Sequence, residues 1–204
     1  AAVYFGMQWL PAVPLLLAAA VAMDALLALG RMFRYNLSTH TKNVELEEEI
    51  AYLESYIRLM NLRMDYEIKV YVQMEDESLK KSMVPKMILQ PLAENSIVHG
   101  LYGIKMDTTI YLKLSREEGK IKIEMTDMGK GMDEEKLKAV RAKIEDGGGE
   151  EGAGQIGLYN IHRRLRLIYG GGCGVQIYSR AGCYTKTILL LKEGGSDSEK
   201  NTDC

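Results

Sequence analysis

From residue 120 to 126 the chain alternates: Ile121, Ile123 and Met125 are apolar and the positions between them polar. A strand with one buried face is therefore expected, with Asp127 on the buried side. Similar alternation predicts strands over 68–74, 109–114, 174–179 and 186–191. Apolar residues at 46, 50, 53, 57 and 60 predict an amphipathic helix over 45–64, and those at 158, 161, 165 and 168 predict another over 158–168. Further helices are expected near 85–99 and 133–144. Strands with one wetted face and helices against the other predict an α+β fold, a two-layer α/β sandwich with a mixed sheet, preceded by a helical region.

Three segments break this pattern. Between residues 10 and 30 the only charged residue is Asp24, with Arg31 and Arg34 following. About 20 apolar residues span a bilayer, and the arginines would put the C-terminal side in the cytoplasm. Against a span, Pro11 and Pro14 crowd one end, and Asp24 would cost roughly 2.5–3.5 kcal/mol at the helix centre. Residues 145–154 are glycine-rich and acidic and are expected to form a mobile lid. The tail, 193–204, is expected to be disordered. The organisation expected is a helical region over 1–63, a catalytic-sized domain over 64–192, and that tail.

Composition narrows the function classes. The 204 residues carry a net charge of −2, which argues against a nucleic-acid surface. Cysteines 173, 183 and 204 lack metal-ligand spacing and read as reduced thiols. The apolar N-terminal stretch has no basic leading region of the kind a secretory signal carries, and the chain reads as a fragment.

Candidate chemistry lies in three boxes. A buried Asp127 needs a partner, and a ligand amine such as that of adenine would supply one. Gly129 and Gly131 let the following turn approach such a ligand. By itself, Asp127-Met128-Gly129-Lys130-Gly131 is better explained as an ordinary turn after a strand. Upstream, residues 85–100 read as one short helix, with Pro91 in its first turn, apolar area from Leu92, Ala93, Ile97 and Val98, and Gly100 just past its end. Asn95 and His99 share a face four residues apart, with Glu94 beside them. Asn95 offers an oxygen to a hard cation such as Mg²⁺, although taken singly His99 is better explained as a helix cap. The third box is Gly157 at the entrance of a helix carrying Arg163, Arg164 and Arg166. A helix N-terminus with a glycine is a physical site for phosphate, although an ordinary amphipathic helix explains the arginines equally well.

Together these boxes resemble the ATP-binding domain of histidine kinases and their gyrase, Hsp90 and MutL relatives. Leu89-Gln90-Pro91-Leu92-Ala93-Glu94-Asn95 through His99-Gly100, with Ile156-Gly157-Leu158-Tyr159-Asn160 and Arg164-Leu165, resembles the LytS- and YesM-like sensor histidine kinases. Arg31-Met32-Phe33-Arg34-Tyr35 and the segment 47–57 resemble the linker between their dimerisation helices and ATP domain. The resemblance covers roughly residues 31–191. It implies a histidine-kinase-like ATPase fold that binds ATP with Mg²⁺ and transfers the γ-phosphoryl to a histidine for relay to a response regulator protein. By motif position it implies that Asp127 binds the adenine amine and Asn95 holds Mg²⁺. Gly129 and Gly131 form the adenine-side turn, Gly157, Leu158 and Asn160 lie by the phosphates, and Thr185 supports the adenine site. Glu94 and His99 match the same box, with their chemical roles open. The resemblance also implies a homodimer and the cytoplasmic part of a plasma-membrane sensor. A dimeric helical bundle would bury Leu15, Leu16, Leu17, Val21, Leu26 and Leu27, and this reading is preferred to a span at 10–30.

Some positions depart from the family pattern. Met128 stands where many relatives have Asn, Gln155 where the second box has its first glycine, and Tyr184 where a glycine precedes Thr185. The family's acceptor histidine lies in a Pro-His-Phe sequence about thirty residues before the Arg34-Tyr35 pair, a count that reaches Ala1 and Ala2. The acceptor is thus lost, substituted or outside this chain, and His40 reads as part of an exposed helix junction. The alternative to a kinase core is a non-catalytic nucleotide-binding dimerisation module.

Overall fold

A computed structural model of the protein describes residues 12–37, 42–103, 108–146 and 153–193. Five strands form one mixed sheet: β2 (Lys69–Met74), β4 (Thr109–Glu117), β5 (Lys120–Asp127), β6 (Gly174–Arg180) and β7 (Tyr184–Lys192). Their order is β2-β4-β5-β7-β6, with β2 and β4 parallel and every other pair antiparallel. The five strands predicted by alternation are all present. A two-stranded ribbon, β1 (Asn43–Glu45) with β3 (Met83–Pro85), and a 3₁₀ turn at Glu77–Lys81 were not foreseen. Three residues are too few to show a period.

Register places one face of the sheet in the core. Leu112 faces Met125, which faces Thr187, which faces Ile177, and all four are buried. The next row, Ile110, Asp127, Thr185 and Ser179, ends in polar groups. On the opposite face Tyr71 and Tyr111 are exposed and meet edge to face, 6.2 Å between centroids. Helices α2 (Leu46–Asn61), α3 (Leu89–Asn95), α4 (Glu134–Asp146) and α5 (Ala153–Tyr169) bring their apolar residues to the buried face. Each fully buried leucine or isoleucine there is worth roughly 1.5–3 kcal/mol relative to exposure. Leu46, Ile50, Leu53 and Ile57 of α2 belong to this same core.

Two helices differ from their expected form. Residues 85–99 are not one helix: Pro85 ends β3, Met87 has left-handed backbone (φ 60°), and α3 gives way at Ser96–Leu101 to a π-helix. The β1–β3 pairing captures the front of this segment, and proline favours extended backbone before it. Pro91 does sit in the first turn of α3, but Val98 is exposed and Gly100 lies inside the π-helical turn. Helix α5 begins four residues before Gly157, so Gly157 is within the helix and not at its entrance. Its buried stripe is Leu158, Ile161, His162 and Leu165, whereas Ile168 is exposed. Helix α4 takes in Glu145 and Asp146, and the lid expected at 145–154 otherwise falls mainly on 147–152, outside the described residues. The tail from 194 onwards and His40 also lie outside them.

Helix α1 (Ala12–Leu37) runs antiparallel to α2. Asp24 pairs with Arg58 at 2.9 Å, and eleven residues on, the Tyr35 hydroxyl donates to Glu49. Residues 13–37 are apolar and long enough to cross a membrane by length and composition, with mean hydropathy 2.1 over the most apolar window. Leu15, Leu16, Leu17, Val21, Leu26 and Leu27 are all exposed in the single chain.

Candidate functional site

The polar end of the sheet row builds the site. Asp127 closes β5, opposite Thr185 of β7, and is fully buried. Its Oδ1 accepts from the Gly129 amide at 3.1 Å, while Oδ2 has no hydrogen-bond partner among the described residues. Burial pushes its carboxyl up to about 6, against the Ser96 hydroxyl and the Gly129 amide, which favour the charged form. The walls fit closely around this carboxylate. A Cβ on Gly100 would lie 2.2 Å from Asp127 Oδ1, and one on Gly129 would lie 2.2 Å from the Gly100 carbonyl oxygen. Gly131 has φ 59° and leaves no room for a side chain beside the Arg180 carbonyl.

The turn after β5 is tied down on both sides. The Lys130 amide donates to Gly100 O (3.0 Å), and the Gly182 amide to Lys130 O (2.7 Å). The Met132 amide donates to Ser179 Oγ (2.8 Å); Ser179 in turn donates to the Tyr184 carbonyl and lies 3.2 Å from Thr185 Oγ1. Ser179 escaped the sequence reading, although its strand register places it in the row of Asp127 and Thr185.

Beside Asp127 is a cavity of about 130 Å³ lined by Asn95, His99, Gly100, Gly131, Met132, Lys136, Val140, Ile177 and Thr185. Pockets that enclose a drug-sized ligand span roughly 300–1,000 Å³, so this one is sized for a ring and not a whole nucleotide. The switch from α3 to π-helix falls between Asn95, which is buried, and His99, which is exposed. Such π-helical turns are frequent at functional sites. Burial and the neighbouring Lys136 ammonium hold the His99 imidazole below its ordinary value. Lys136, from α4, was not foreseen; only folding brings it to the cavity.

Other sequence candidates lie elsewhere. Glu94 accepts from Gln90 (2.7 Å) and does not line the cavity; its charge acts on Tyr52 and Tyr56 of α2, whose hydroxyls are held above the usual range first by burial, Tyr56 at about 12. Leu158 is fully buried in the core, Asn160 is exposed, and Gly157 packs on α3, where an added Cβ would meet Pro91 Cβ at 3.3 Å.

A second buried carboxylate was missed. Glu49 of α2 is 1% exposed, and its Oε2 accepts from the Ile88 and Leu89 amides at 2.9 and 3.0 Å. Its Oε1 accepts from the Met87 amide and the Tyr35 hydroxyl. The available signal was position: Glu49 lies three residues after Leu46 and four before Leu53, inside the apolar stripe.

The sheet order, the covering helices and the Asp127 corner coincide with a sequence match. Residues 81–195 match the histidine kinase-, DNA gyrase B- and HSP90-like ATPases, and residues 15–68 match the histidine kinase family. The chain belongs to this histidine-kinase type of ATPase, a family membership that implies ATP binding. Among curated proteins it is similar to the sensor protein kinase HptS of Staphylococcus aureus strain USA300, with 32% identity over 160 residues. The HptS proteins of strains NCTC 8325 / PS 47 and COL match to the same extent. The alignment covers 78% of this chain and 30% of each relative, so the chain spans under a third of their length.

Proposed function

We propose that this chain is the ATP-binding core of a LytS- or YesM-like sensor histidine kinase, in which Asp127 Oδ2 accepts the exocyclic amine of adenine. The unpartnered oxygen of a fully buried carboxylate, flanked by the cavity residues Gly100 and Thr185, carries this reading. Leaving that oxygen unpaired is costly, and an amine donor would relieve it. Gly129 and Gly131 keep the turn close to the base, and Thr185 backs it with Ser179. Asn95 would hold Mg²⁺ with its side-chain oxygen, and His99 and Lys136 would face the phosphates at the cavity mouth. Bound Mg-ATP would supply the γ-phosphoryl group, and the chemistry asked of the protein is positioning and charge neutralisation.

Transfer would go to a histidine not evident in this chain, for relay to a response regulator protein. His162 is buried, with its Nδ1 3.1 Å from the Val175 amide nitrogen, and His99 belongs to the cavity. The exposed leucines of α1 support a two-chain helical bundle in the cytoplasmic part of a plasma-membrane sensor. The Asp24–Arg58 pair supports this over a membrane span.

Calorimetry with Mg-ATP on the chain and on Asp127→Asn tests the reading. The expected result is binding by the parent, weakened at least about tenfold, or 1.4 kcal/mol, by the substitution. A folded parent that binds no Mg-ATP would sink it and leave a non-catalytic dimerisation module.

A further inference from the structure

The polar cluster where α1, α2, α3 and α5 meet lies outside the cavity. At its centre is Met87, a non-glycine residue with left-handed backbone two residues before α3. Its amide donates to Glu49 from α2, and its carbonyl accepts from Arg164 Nη2 of α5 at 3.3 Å. Glu49 also takes the next two amides, so the entry to α3 is held by one side chain. Helix α3 is seven residues long, Leu89, Leu92 and Ala93 are fully buried, and Asn95 is its last residue. Gly157 of α5 packs on its first turn through Pro91. A helix this short and closely held has little slack between Met87 and Asn95.

The same Glu49 oxygen that accepts from Met87 also accepts from the Tyr35 hydroxyl of α1. Lys86, next to Met87, donates to the Tyr35 carbonyl and stands 4.5 Å over its ring. Tyr35 also packs on Tyr52, centroids 4.5 Å apart. Burial and the neighbouring Glu49 charge push the Tyr35 hydroxyl up, which keeps it a proton donor. Glu49's charge likewise offsets part of the burial that lowers Arg164.

We propose that Glu49, Tyr35 and Arg164 clamp the left-handed Met87, so that Glu49 is a positioning residue for the helix carrying Asn95 and Tyr35 is the point through which α1 acts on it. A shift of α1 changes what Tyr35 gives to Glu49 Oε1, and with it the hold on Met87. The consequence for nucleotide binding rests on the reading of Asn95 given above; the clamp itself does not.

Hydrogen exchange by mass spectrometry on the 204-residue chain, with and without Mg-ATP, tests this. Glu49→Gln keeps the shape and removes one acceptor oxygen; exchange over 87–95 is expected to quicken about tenfold. Tyr35→Phe removes the hydroxyl that reaches Glu49 and keeps the ring and carbonyl contacts of α1, and it is expected to quicken the same amides about threefold, with exchange in β5 unchanged. Arg58→Ala, which breaks the ion pair to Asp24 of α1 far from Met87, should leave 87–95 as in the parent. If Tyr35→Phe leaves 87–95 unchanged, or quickens β5 equally, Tyr35 and Glu49 are ordinary structural residues and the proposal fails. Should Glu49→Gln not fold, Tyr35→Phe alone decides. In the parent, Mg-ATP should slow exchange over 87–95, and less so in Tyr35→Phe. A parent that binds no Mg-ATP overturns the nucleotide reading, and the clamp is then decided by the exchange of the unliganded variants.

Discussion

Asp127 and Glu49 are both carboxylates sealed from water, and their surroundings are opposite. Glu49 has two donors on each oxygen, from the Met87, Ile88 and Leu89 amides and the Tyr35 hydroxyl. Asp127 has the Gly129 amide on Oδ1 and the Ser96 hydroxyl nearby, and among the described residues its Oδ2 makes no hydrogen bond. A buried acid whose hydrogen bonds are all made holds structure together, whereas one with an open lone pair beside a cavity is set for a ligand. Burial alone therefore does not separate the two; on the proposed reading of Asp127 as the adenine acceptor, the donor count does.

The sharpest way to break this comparison is to remove each charge and read stability. Glu49→Leu should destabilise the chain by about 3–5 kcal/mol in urea unfolding, because it orphans backbone amides in the core. Asp127→Asn should act the other way without ligand, stabilising by about 1–3 kcal/mol at pH 8, since the ionised form it removes is the one burial penalises. Equal losses from both substitutions would erase the distinction.

The pH dependence sharpens it further. The folded Asp127 carboxyl titrates at about 6, above its ordinary 3.8, so it binds a proton more readily folded than unfolded. Its contribution is fully present below pH 3.8 and is lost as pH rises through about 6. Urea unfolding of the ligand-free chain from pH 4 to 7 should show a fall of roughly 2 kcal/mol from this group, absent in Asp127→Asn. A smaller effect is expected at the cavity wall. Gly100→Ala should cost about 1–3 kcal/mol and weaken Mg-ATP, because its Cβ would have to displace Asp127. The least is expected from Arg58→Ala: an exposed ion pair is worth about 0–1 kcal/mol, and its loss should barely move the unfolding midpoint.

Periodicity alone determined the five strands, the amphipathic α2 and the body of α5, and the position of Asp127 on the inner face. These are local consequences of a period of two or 3.6 in which one face must avoid water. The motif residues Asn95, His99, Gly131 and Thr185 were also legible, and the fold brings them to one cavity. Tertiary structure decided the rest. Pairing of β1 with β3 turned a proline-bearing segment into a strand, a left-handed Met87 and a short α3. Strand register put Ser179 beside Thr185, and packing of α4 delivered Lys136. The clearest case is Glu49. Its sequence position placed a charge in an apolar stripe, but only the arrival of three amides from a segment nearly forty residues away made that charge stable. Long-range hydrogen bonds leave no periodic trace, because their partners are chosen by the fold and not by neighbours in the chain.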